Sequence, residues 1–217
     1  MEPAVRSPGD ARRRLQSGRA TEFQTRCSRG RDRPVGAALA SHSRALAAVA
    51  LEPDLWRLQP RRVESDTDME AYVALALREQ QAGESLPFVI VEQTQGLVIG
   101  STRFMDIAMQ HRRLEIGASW ITPAYQRTGA NLEAKLLLLS HAFEVLDMQK
   151  VVLKTETLNT QSRAAILGLG AVEEGTFRRQ FLADDGRPRD MIYFSILDEE
   201  WPNARDRIRK RLARHRT

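Results

Sequence analysis

The stretch QRTGAN, residues 126–131, lies between a predicted strand and the strongest predicted helix of the chain. The strand is RLEIGASWI, residues 113–121, and Pro123 follows it closely. Period-two alternation places its apolar residues on one face, namely Leu114, Ile116, Ala118 and Trp120. The helix is predicted from about Gly129 to Leu146, because its apolar residues recur at helical spacing. A strand, a short glycine-containing loop and a helix in this order indicate a ligand site at the loop.

The loop has the chemistry to bind a phosphate. Gly129 has no Cβ, so a ligand can approach its backbone, and the unpaired N–H groups of the first helical turn point toward that ligand. Arg127 would add a charge-assisted hydrogen bond. The loop is neither a Walker loop nor a G-x-G-x-x-G loop, because it has a single glycine and no Gly-Lys-Ser/Thr follows. An ordinary strand-to-helix turn is the alternative interpretation.

The elements on either side of this segment complete an α+β pattern. Two helices come first, one with Ser43 as its N-cap that ends before Pro53, and one from Asp66 or Thr67 to about Gln81. The other predicted elements are strands over residues 87–92, 97–104, 151–157, 176–182 and 191–197, and a helix over residues 160–168. This order predicts a mixed, mostly antiparallel twisted sheet in a three-layer α/β arrangement. It contains one right-handed parallel strand–helix–strand crossover.

A second polar segment is expected beside the same loop. Asn159 and Ser162 follow the strand of residues 151–157 and open the next helix. Because the carboxyl ends of two parallel strands meet at the same edge of a sheet, these side chains would border the crevice in front of Gly129. Capping of the helix is the alternative role for both residues.

Charge is unevenly distributed along the 217 residues, whose formal net charge is +5. Residues 1–50 carry ten arginines and four acidic residues, and residues 203–217 carry seven basic residues and one acidic residue. Residues 51–202 carry sixteen basic and twenty-three acidic residues. We therefore predict a basic, disordered arm over residues 1–40, one domain over residues 41–202 and a basic tail over residues 203–217.

Composition excludes several classes of protein. The single cysteine, Cys27, excludes an intrachain disulfide and a four-cysteine zinc site, and the four histidines show no metal-ligand spacing. His141 is expected to be a packed or capping residue within its helix. No apolar run approaches the roughly 18 residues that a membrane span needs. We expect a cytoplasmic protein without a metal and without membrane contact.

Four motifs occur in a distinctive order along the chain. They are EIGxxWI from Glu115, QRTGAN leading into AKxLLLxHAF, LNxxSRAAIL from Leu158, and GRxRDxxYFSILxxEWP over residues 186–202. Together these motifs resemble the GNAT acetyltransferases, specifically the RimJ/RimL-like branch, over roughly residues 43–201. The resemblance implies that the two central strands splay into a V. It also implies an N-acetyltransferase that uses acetyl-CoA as co-substrate.

The resemblance further implies which residues bind the co-substrate. The residues of the loop would hold the CoA diphosphate, mainly through backbone amides: Gln126, Arg127, Thr128, Gly129, Ala130 and Asn131. A backbone N–H near Trp120 or Ile121 would hydrogen-bond the thioester oxygen, and Asn159 would bind the pantetheine arm. Such backbone donors stabilise the charge that develops on the carbonyl oxygen.

Two side chains are candidates for proton transfer in a direct attack of an amine on the thioester. Glu115 would deprotonate the incoming ammonium, directly or through water. The alternative for Glu115 is an ion pair with Arg112 or Arg113. Ser162 would donate a proton to the leaving sulfur. No protein nucleophile is required, because both substrates are held in one crevice.

The sequence departs from the family pattern at three places. Many relatives carry a tyrosine a few residues after the serine of the LNxxS motif, where this chain has Ala165, Ile166 and Leu167, so Ser162 or water would protonate the thiolate. Asn131 stands where glycine or alanine is common. Residues 17–40 lack the alternating strand with which the family opens. We hypothesise that this arm is a non-native leader.

The resemblance leaves the acceptor open between a protein N-terminal α-amine and a small amine. A function of another class is a non-catalytic module that binds CoA, or that binds RNA or the ribosome through its basic ends. Nucleic-acid binding is the less favoured prediction, because no aromatic residues accompany the basic tail. A homodimer is a further hypothesis.

Overall fold

The computed structural model describes residues 42–59 and 61–215 of the chain. The predicted arm, residues 1–40, lies outside the described residues, and so does the segment to which the leader hypothesis applies. The boundary between arm and domain therefore stays a prediction.

Helices and strands follow the predicted order, with two helices added. The helices are α1 (Ser43–Ala50), α2 (Pro53–Trp56), α3 (Asp66–Gln81), α4 (Ala130–Ser140), α5 (Thr160–Leu169) and α6 (Trp201–Arg214). The strands are β1 (Leu86–Glu92), β2 (Leu97–Ala108), β3 (Arg113–Ile121), β4 (Lys150–Glu156), β5 (Val172–Leu182) and β6 (Pro188–Leu197). A π-helical turn, His141–Val145, continues α4 toward the predicted end of that helix. The sequence did not predict α2 or α6.

Local capping explains where the first long helix begins. The hydroxyl of Ser65 accepts a hydrogen bond from the amide of Asp68 at 3.2 Å, so α3 starts at Asp66 as predicted. The prediction for α1 is wrong by one residue. Its N-cap is His42, and Ser43 is already helical.

The six strands form one mixed sheet in the order β1-β2-β3-β4-β6-β5. Only β3 and β4 run parallel, and the helix between them makes the crossover, while every other neighbouring pair is antiparallel. The prediction of a mixed, mostly antiparallel sheet with one parallel crossover is confirmed.

Helices cover the two faces of the sheet in two separate groups. On one face, residues of α1, α2 and α3 pack against β1, β2 and Trp120 of β3. On the other face, α4, α5 and α6 pack against β3, β4 and β6 around Leu114, Val151 and Phe194. The central strands are therefore enclosed between two helical layers, which gives the predicted three-layer arrangement.

A β-bulge in β3 overturns the prediction that its apolar residues share one face. Ser101 of β2 lies opposite Trp120, and Arg103 lies opposite Gly117, so three steps along β3 match two along β2. Ala118 adopts a φ of +47° within the bulge. The extra residue reverses the alternation. Leu114 and Ile116, before the bulge, therefore face α4–α6, whereas Trp120, after it, faces α1–α3.

The segment predicted as a basic tail from residue 203 is part of helix α6. Its apolar residues Trp201, Ala204, Ile208 and Leu212 are all buried against the core. They recur at intervals of three and four residues, so one stripe of the helix is apolar and the arginines occupy the rest of its surface. This helix packs between α4 and α5.

Candidate active site

A V-shaped opening separates the two central strands. Residues 113–115 of β3 pair with residues 150–152 of β4, and the ladder stops there. Beyond that point β3 stays paired with β2 as far as Ile121, while β4 stays paired with β6 as far as Glu156. The apex of the V lies at Glu115 and Val152. The splayed sheet predicted from the family resemblance is confirmed.

The loop that precedes α4 follows the open end of β3. Arg127 and Gly129 have positive φ values of 62° and 94°, which turn the chain sharply into the helix. Gly129 is the N-cap of α4 and supplies no side-chain hydrogen bond to its first turn. The Ala130 amide makes a long hydrogen bond of 3.4 Å to the Thr128 hydroxyl, and the amides that follow it in this turn have no acceptor within the helix. Their partial positive charge suits a diphosphate.

Side chains of the loop stabilise its shape. The Gln126 amide donates to the carbonyl oxygen of Ile121 at 3.0 Å, and the Thr128 hydroxyl donates to that of Tyr125 at 2.7 Å. The side chains of Arg127 and Asn131 are exposed. These bonds fix the backbone of the segment that was predicted to bind the diphosphate.

The C-terminal end of α6 reaches this loop. A Cβ placed on Gly129 would lie 3.4 Å from the Cβ of His215. Glycine at this position therefore serves two purposes, because a side chain would be strained at this φ and would also press on the neighbouring helix.

Glu115 is a buried carboxylate at the apex of the V. It is 2% exposed, and its Oε2 lies 2.8 Å from Nζ of Lys154 on β4. Burial raises the pKa of Glu115, although Lys154 acts to lower it. The ion pair with Arg112 or Arg113 that was the alternative is not the one formed, since Arg112 pairs with Asp147 at 2.8 Å. A buried carboxyl with a raised pKa has the properties of a general base.

The residues that end β3 have structural side chains. The Trp120 ring packs 5.4 Å from the Trp56 ring, and Ile121 packs against Ala130 and Ala134 of α4. Their backbone borders the V. The roles predicted for Trp120 and Ile121 involve only backbone N–H groups and are compatible with this packing.

Asn159 and Ser162 lie at the start of α5, beyond the end of β4. The Asn159 side chain accepts a hydrogen bond from the Ser162 amide at 2.9 Å, so Asn159 is the N-cap of the helix. The capping role weighed from the sequence is present for Asn159. The Ser162 side chain is half-buried. Topology brings these two residues, the loop and the end of β3 to the same edge of the sheet.

Three polar residues near the V were not singled out from the sequence. Lys154 pairs with Glu115, and Lys135 of α4 is 6% exposed and donates to the Ser119 hydroxyl at 2.6 Å. The position of Lys135 inside the apolar helix α4 could have indicated a buried lysine from the sequence alone. The pairing of Lys154 depends on strand register, which the sequence alone did not supply.

Two arginines of the final hairpin pair with one buried carboxylate. Arg189 is 2% exposed and donates to Glu156 at 2.8 Å, and Arg187 pairs with the same carboxylate. Both side chains therefore hold the β5–β6 hairpin to the end of β4. Arg178 and Arg179 of the same hairpin are exposed.

Within residues 42–59 and 61–215, no cluster of three or more histidine, cysteine, aspartate or glutamate residues could hold a metal ion. No helix in the same part of the chain is long and apolar enough to cross a membrane.

A sheet split between its central strands, a helix that begins at a glycine N-cap beside the opening and a buried carboxylate at the apex define an acyltransferase of the α+β class. The profile of the acetyltransferase (GNAT) domain matches residues 37–172. The chain belongs to the GNAT acetyltransferase family.

Two named relatives share part of their length with this chain. YdaF of Bacillus subtilis is 31% identical over 106 residues, which are 49% of this chain and 57% of that protein. The ribosomal-protein-serine acetyltransferase of Escherichia coli is 25% identical over 141 residues, which are 65% of this chain and 77% of that protein. The match thus spans little more than half the length of the first curated relatives.

Solved structures share the fold over most of the chain. A GCN5-related N-acetyltransferase from Brucella melitensis matches with a TM-score of 0.74 and 25% identity, covering 81% of this chain and 79% of that one. RimJ of Mycobacterium smegmatis, solved in complex with CoA-disulfide, matches with a TM-score of 0.65 and 24% identity, covering 80% and 84%. The latter likeness concerns the fold alone.

Proposed function

We propose that this protein transfers the acetyl group of acetyl-CoA to a primary amine by direct attack in a ternary complex. The observation that carries the proposal is the separation of β3 from β4 beyond Glu115, next to the first turn of α4, whose N-cap is Gly129. Membership of the GNAT family supports the choice of co-substrate. The loop amides of residues 126–131 would hold the diphosphate, and Asn159 would contact the pantetheine arm.

In the proposed reaction the C–N bond forms as the C–S bond breaks. Glu115 accepts the proton that the ammonium must lose, directly or through water, because burial gives it a raised pKa. Backbone N–H groups near Trp120 and Ile121 stabilise the charge that develops on the carbonyl oxygen. The nitrogen loses a second proton as the amide forms, and Ser162 or water passes a proton to the leaving sulfur, so that the products are the amide, the free thiol and the proton held by Glu115.

We further propose that the acceptor is a protein amine. The Escherichia coli relative is named a ribosomal-protein-serine acetyltransferase, which favours an N-terminal α-amine over a small amine. A cytoplasmic location would fit such an acceptor. A non-catalytic protein that binds CoA, or RNA through the basic residues of α6, is the alternative to be tested.

Binding and turnover are tested separately. Acetyl-CoA at 100 times its Kd should stabilise the folded protein by about 2.7 kcal/mol, seen as a rise in Tm. Release of free thiol is then measured with peptides that have a free or a blocked α-amine, with the acetylated peptide identified by mass spectrometry. A rise in Tm without thiol release for any amine would support the non-catalytic alternative. No rise in Tm, with salt-sensitive binding to RNA, would refute the enzyme assignment.

Gly129→Val offers a sharper test of the loop, with Gly96→Val as its matched control. Both glycines have positive φ, 94° and 68°, so both variants strain the backbone. Gly96 lies in the β1–β2 turn with nothing near its Cβ position, whereas Gly129 begins α4. We expect only Gly129→Val to abolish the rise in Tm with acetyl-CoA. An equal rise in both variants would remove the loop from the binding site.

A further inference from the structure

Lys135 is a buried lysine for which the reaction above has no use. Its side chain is 6% exposed on the sheet-facing side of α4, and its ammonium donates to the neutral hydroxyl of Ser119 at 2.6 Å. Burial lowers the pKa of Lys135 to about 7, although Glu115 acts to raise it. An ammonium in such a place costs free energy, so its presence calls for a role.

Through its hydrogen bond to Ser119, Lys135 contacts the β-bulge of β3. Ser119 directly follows Ala118, which has a positive φ of 47°. The Ser119 hydroxyl also lies 2.7 Å from the hydroxyl of Thr102 and 3.3 Å from the carbonyl oxygen of Gly117. The ammonium, two hydroxyls and a backbone carbonyl thus form one polar chain that ties α4 to the bulge.

The bulge occupies the part of β3 that borders the V. The ladder with β4 ends at Glu115, and the bulge follows two residues later. A bulge leaves a backbone group outside the strand ladder. Acyl transfer requires such a donor, aimed at the carbonyl oxygen and held there before the reaction. Holding the bulge in a fixed geometry would therefore offset the free-energy cost of burying the Lys135 ammonium.

Charged groups on three strands act on Glu115, which lies two residues before the bulge. Glu115 and Arg113 lie on β3, Lys154 on β4 and Asp106 on β2, and all of them contribute to the electrostatics of the apex. Glu115 is already paired with Lys154 at 2.8 Å. Within the described part of the chain, the Lys135 ammonium donates to the Ser119 hydroxyl, while Glu115 acts on it through its charge.

We propose that Lys135 is a positioning residue for acyl transfer, which acts through Ser119 to hold the Gly117–Ser119 bulge in the shape that directs the backbone N–H groups that follow it, near Trp120, to the thioester. The inference rests on the proposed function. It predicts that loss of the ammonium lowers the rate of transfer more than it lowers the affinity for acetyl-CoA.

Kinetics provide the first test, with Lys135→Met, Lys135→Arg and Ser119→Ala compared with wild type. We expect kcat of Lys135→Met to fall roughly ten- to hundredfold, less than for loss of a direct oxyanion donor, with KM for acetyl-CoA within about threefold. Lys135→Arg should restore part of kcat, and Ser119→Ala should resemble Lys135→Met. Lys150→Met is the control, since that lysine pairs with Glu174 on the surface. Unchanged kcat in Lys135→Met, or a loss confined to KM, would overturn the proposal.

Amide NMR provides a second test that needs no turnover. In the wild-type protein the amide shifts of Gly117 and Ser119 should change as Lys135 titrates, and these changes should be absent in Lys135→Arg. If wild type binds acetyl-CoA but transfers nothing, the proposed function fails while the amide shifts still decide whether Lys135 governs the bulge. Amide shifts that are the same in both proteins across the titration would overturn the inference. If Lys135→Met does not fold, Ser119→Ala and Lys135→Arg carry both tests.

Discussion

Glu115 is the residue that we propose as the general base. Replacing it by Gln keeps the size of the side chain and removes the base, so we expect the rate of thiol release to fall by roughly 10²–10⁴. Acetyl-CoA should still raise the Tm, since the loop is untouched. Steady-state thiol release across pH values checks this expectation.

Glu92→Gln is the matched control for that prediction. Glu92 is also buried, but it accepts hydrogen bonds from the amides of Thr94 and Gln95 in the β1–β2 turn. We expect this variant to lose stability and keep kcat. A Glu115→Gln enzyme as fast as this control would show that water or another group is the base.

Lys135 should make stability depend on pH in a specific direction. Its pKa is about 7 in the folded protein and 10.5 when unperturbed, so between these values the unfolded chain binds more protons. The free energy of unfolding should therefore rise with pH from about 7 to 10.5, by about 1.4 kcal/mol per unit at most. Urea unfolding of wild type and Lys135→Met at several pH values measures the difference. A difference that does not change with pH would contradict the lowered pKa.

At the scale of elements, β3 shows what the period-two alternation of apolar residues can predict and what it cannot. Its bounds were predicted as residues 113–121 and are observed as such. The facing of its side chains was not predicted, because one residue at positive φ, Ala118, reverses the pattern halfway along the strand. Positive φ at an alanine has no local signature, since it is held by the packing around the bulge. The same bulge lies beside the V, where a regular strand would have continued its ladder.

Helix α6 was missed for a different reason. The helix is rich in arginine. Its apolar stripe is visible only in the spacing of four residues, Trp201, Ala204, Ile208 and Leu212. When charges dominate a segment, a search for uninterrupted apolar runs fails, although one buried face is enough for a helix.

The packing of α6 predicts that residue 208 matters to the whole domain. Ile208 is fully buried, so Ile208→Ala should lower the free energy of unfolding by roughly 2–5 kcal/mol through the lost contacts and the cavity. Arg209→Ala, an exposed position on the same helix, should change it by less than about 0.5 kcal/mol. Guanidinium unfolding of both variants distinguishes a core helix from a solubilising tail. Equal stability of the two would refute the packing.

At the scale of the whole molecule, the order of elements was predictable, whereas the long-range ion pairs were not. Diphosphate binding by the loop stays a prediction, which the sequence allowed because the chemistry of the loop is contained in six consecutive residues, 126–131. The pairs Glu115–Lys154 and Glu156–Arg189 join strands that are distant in sequence. Which charges meet depends on the register of neighbouring strands, and a shift of one residue would turn each side chain to the opposite face.

Arg189 connects β4 to the segment between α2 and α3, and its replacement should therefore lower the free energy of unfolding of the whole domain. Its guanidinium donates to Glu156 of β4 at 2.8 Å and to the carbonyl oxygen of Leu58, between α2 and α3, at 2.9 Å. Arg189→Ala removes one partner of a buried pair, a change that typically costs 3–5 kcal/mol. We expect the lower end of that range, since Arg187 still pairs with Glu156. Arg178→Ala, exposed on β5, is the control.

The pH dependence of this loss identifies its cause. Burial acts to raise the pKa of Glu156, but hydrogen bonds from Arg187 and Arg189 hold it below its usual 4.5. A lowered pKa contributes stability above the unfolded value, and that stability is lost as pH falls through the folded value. The difference in the free energy of unfolding between wild type and Arg189→Ala, measured by urea unfolding, should therefore be largest near neutral pH. It should become smaller below about pH 4.5. If the difference in the free energy of unfolding stayed the same at acidic pH, Arg189 would act through packing and its hydrogen bond to Leu58, and not through the Glu156 carboxylate.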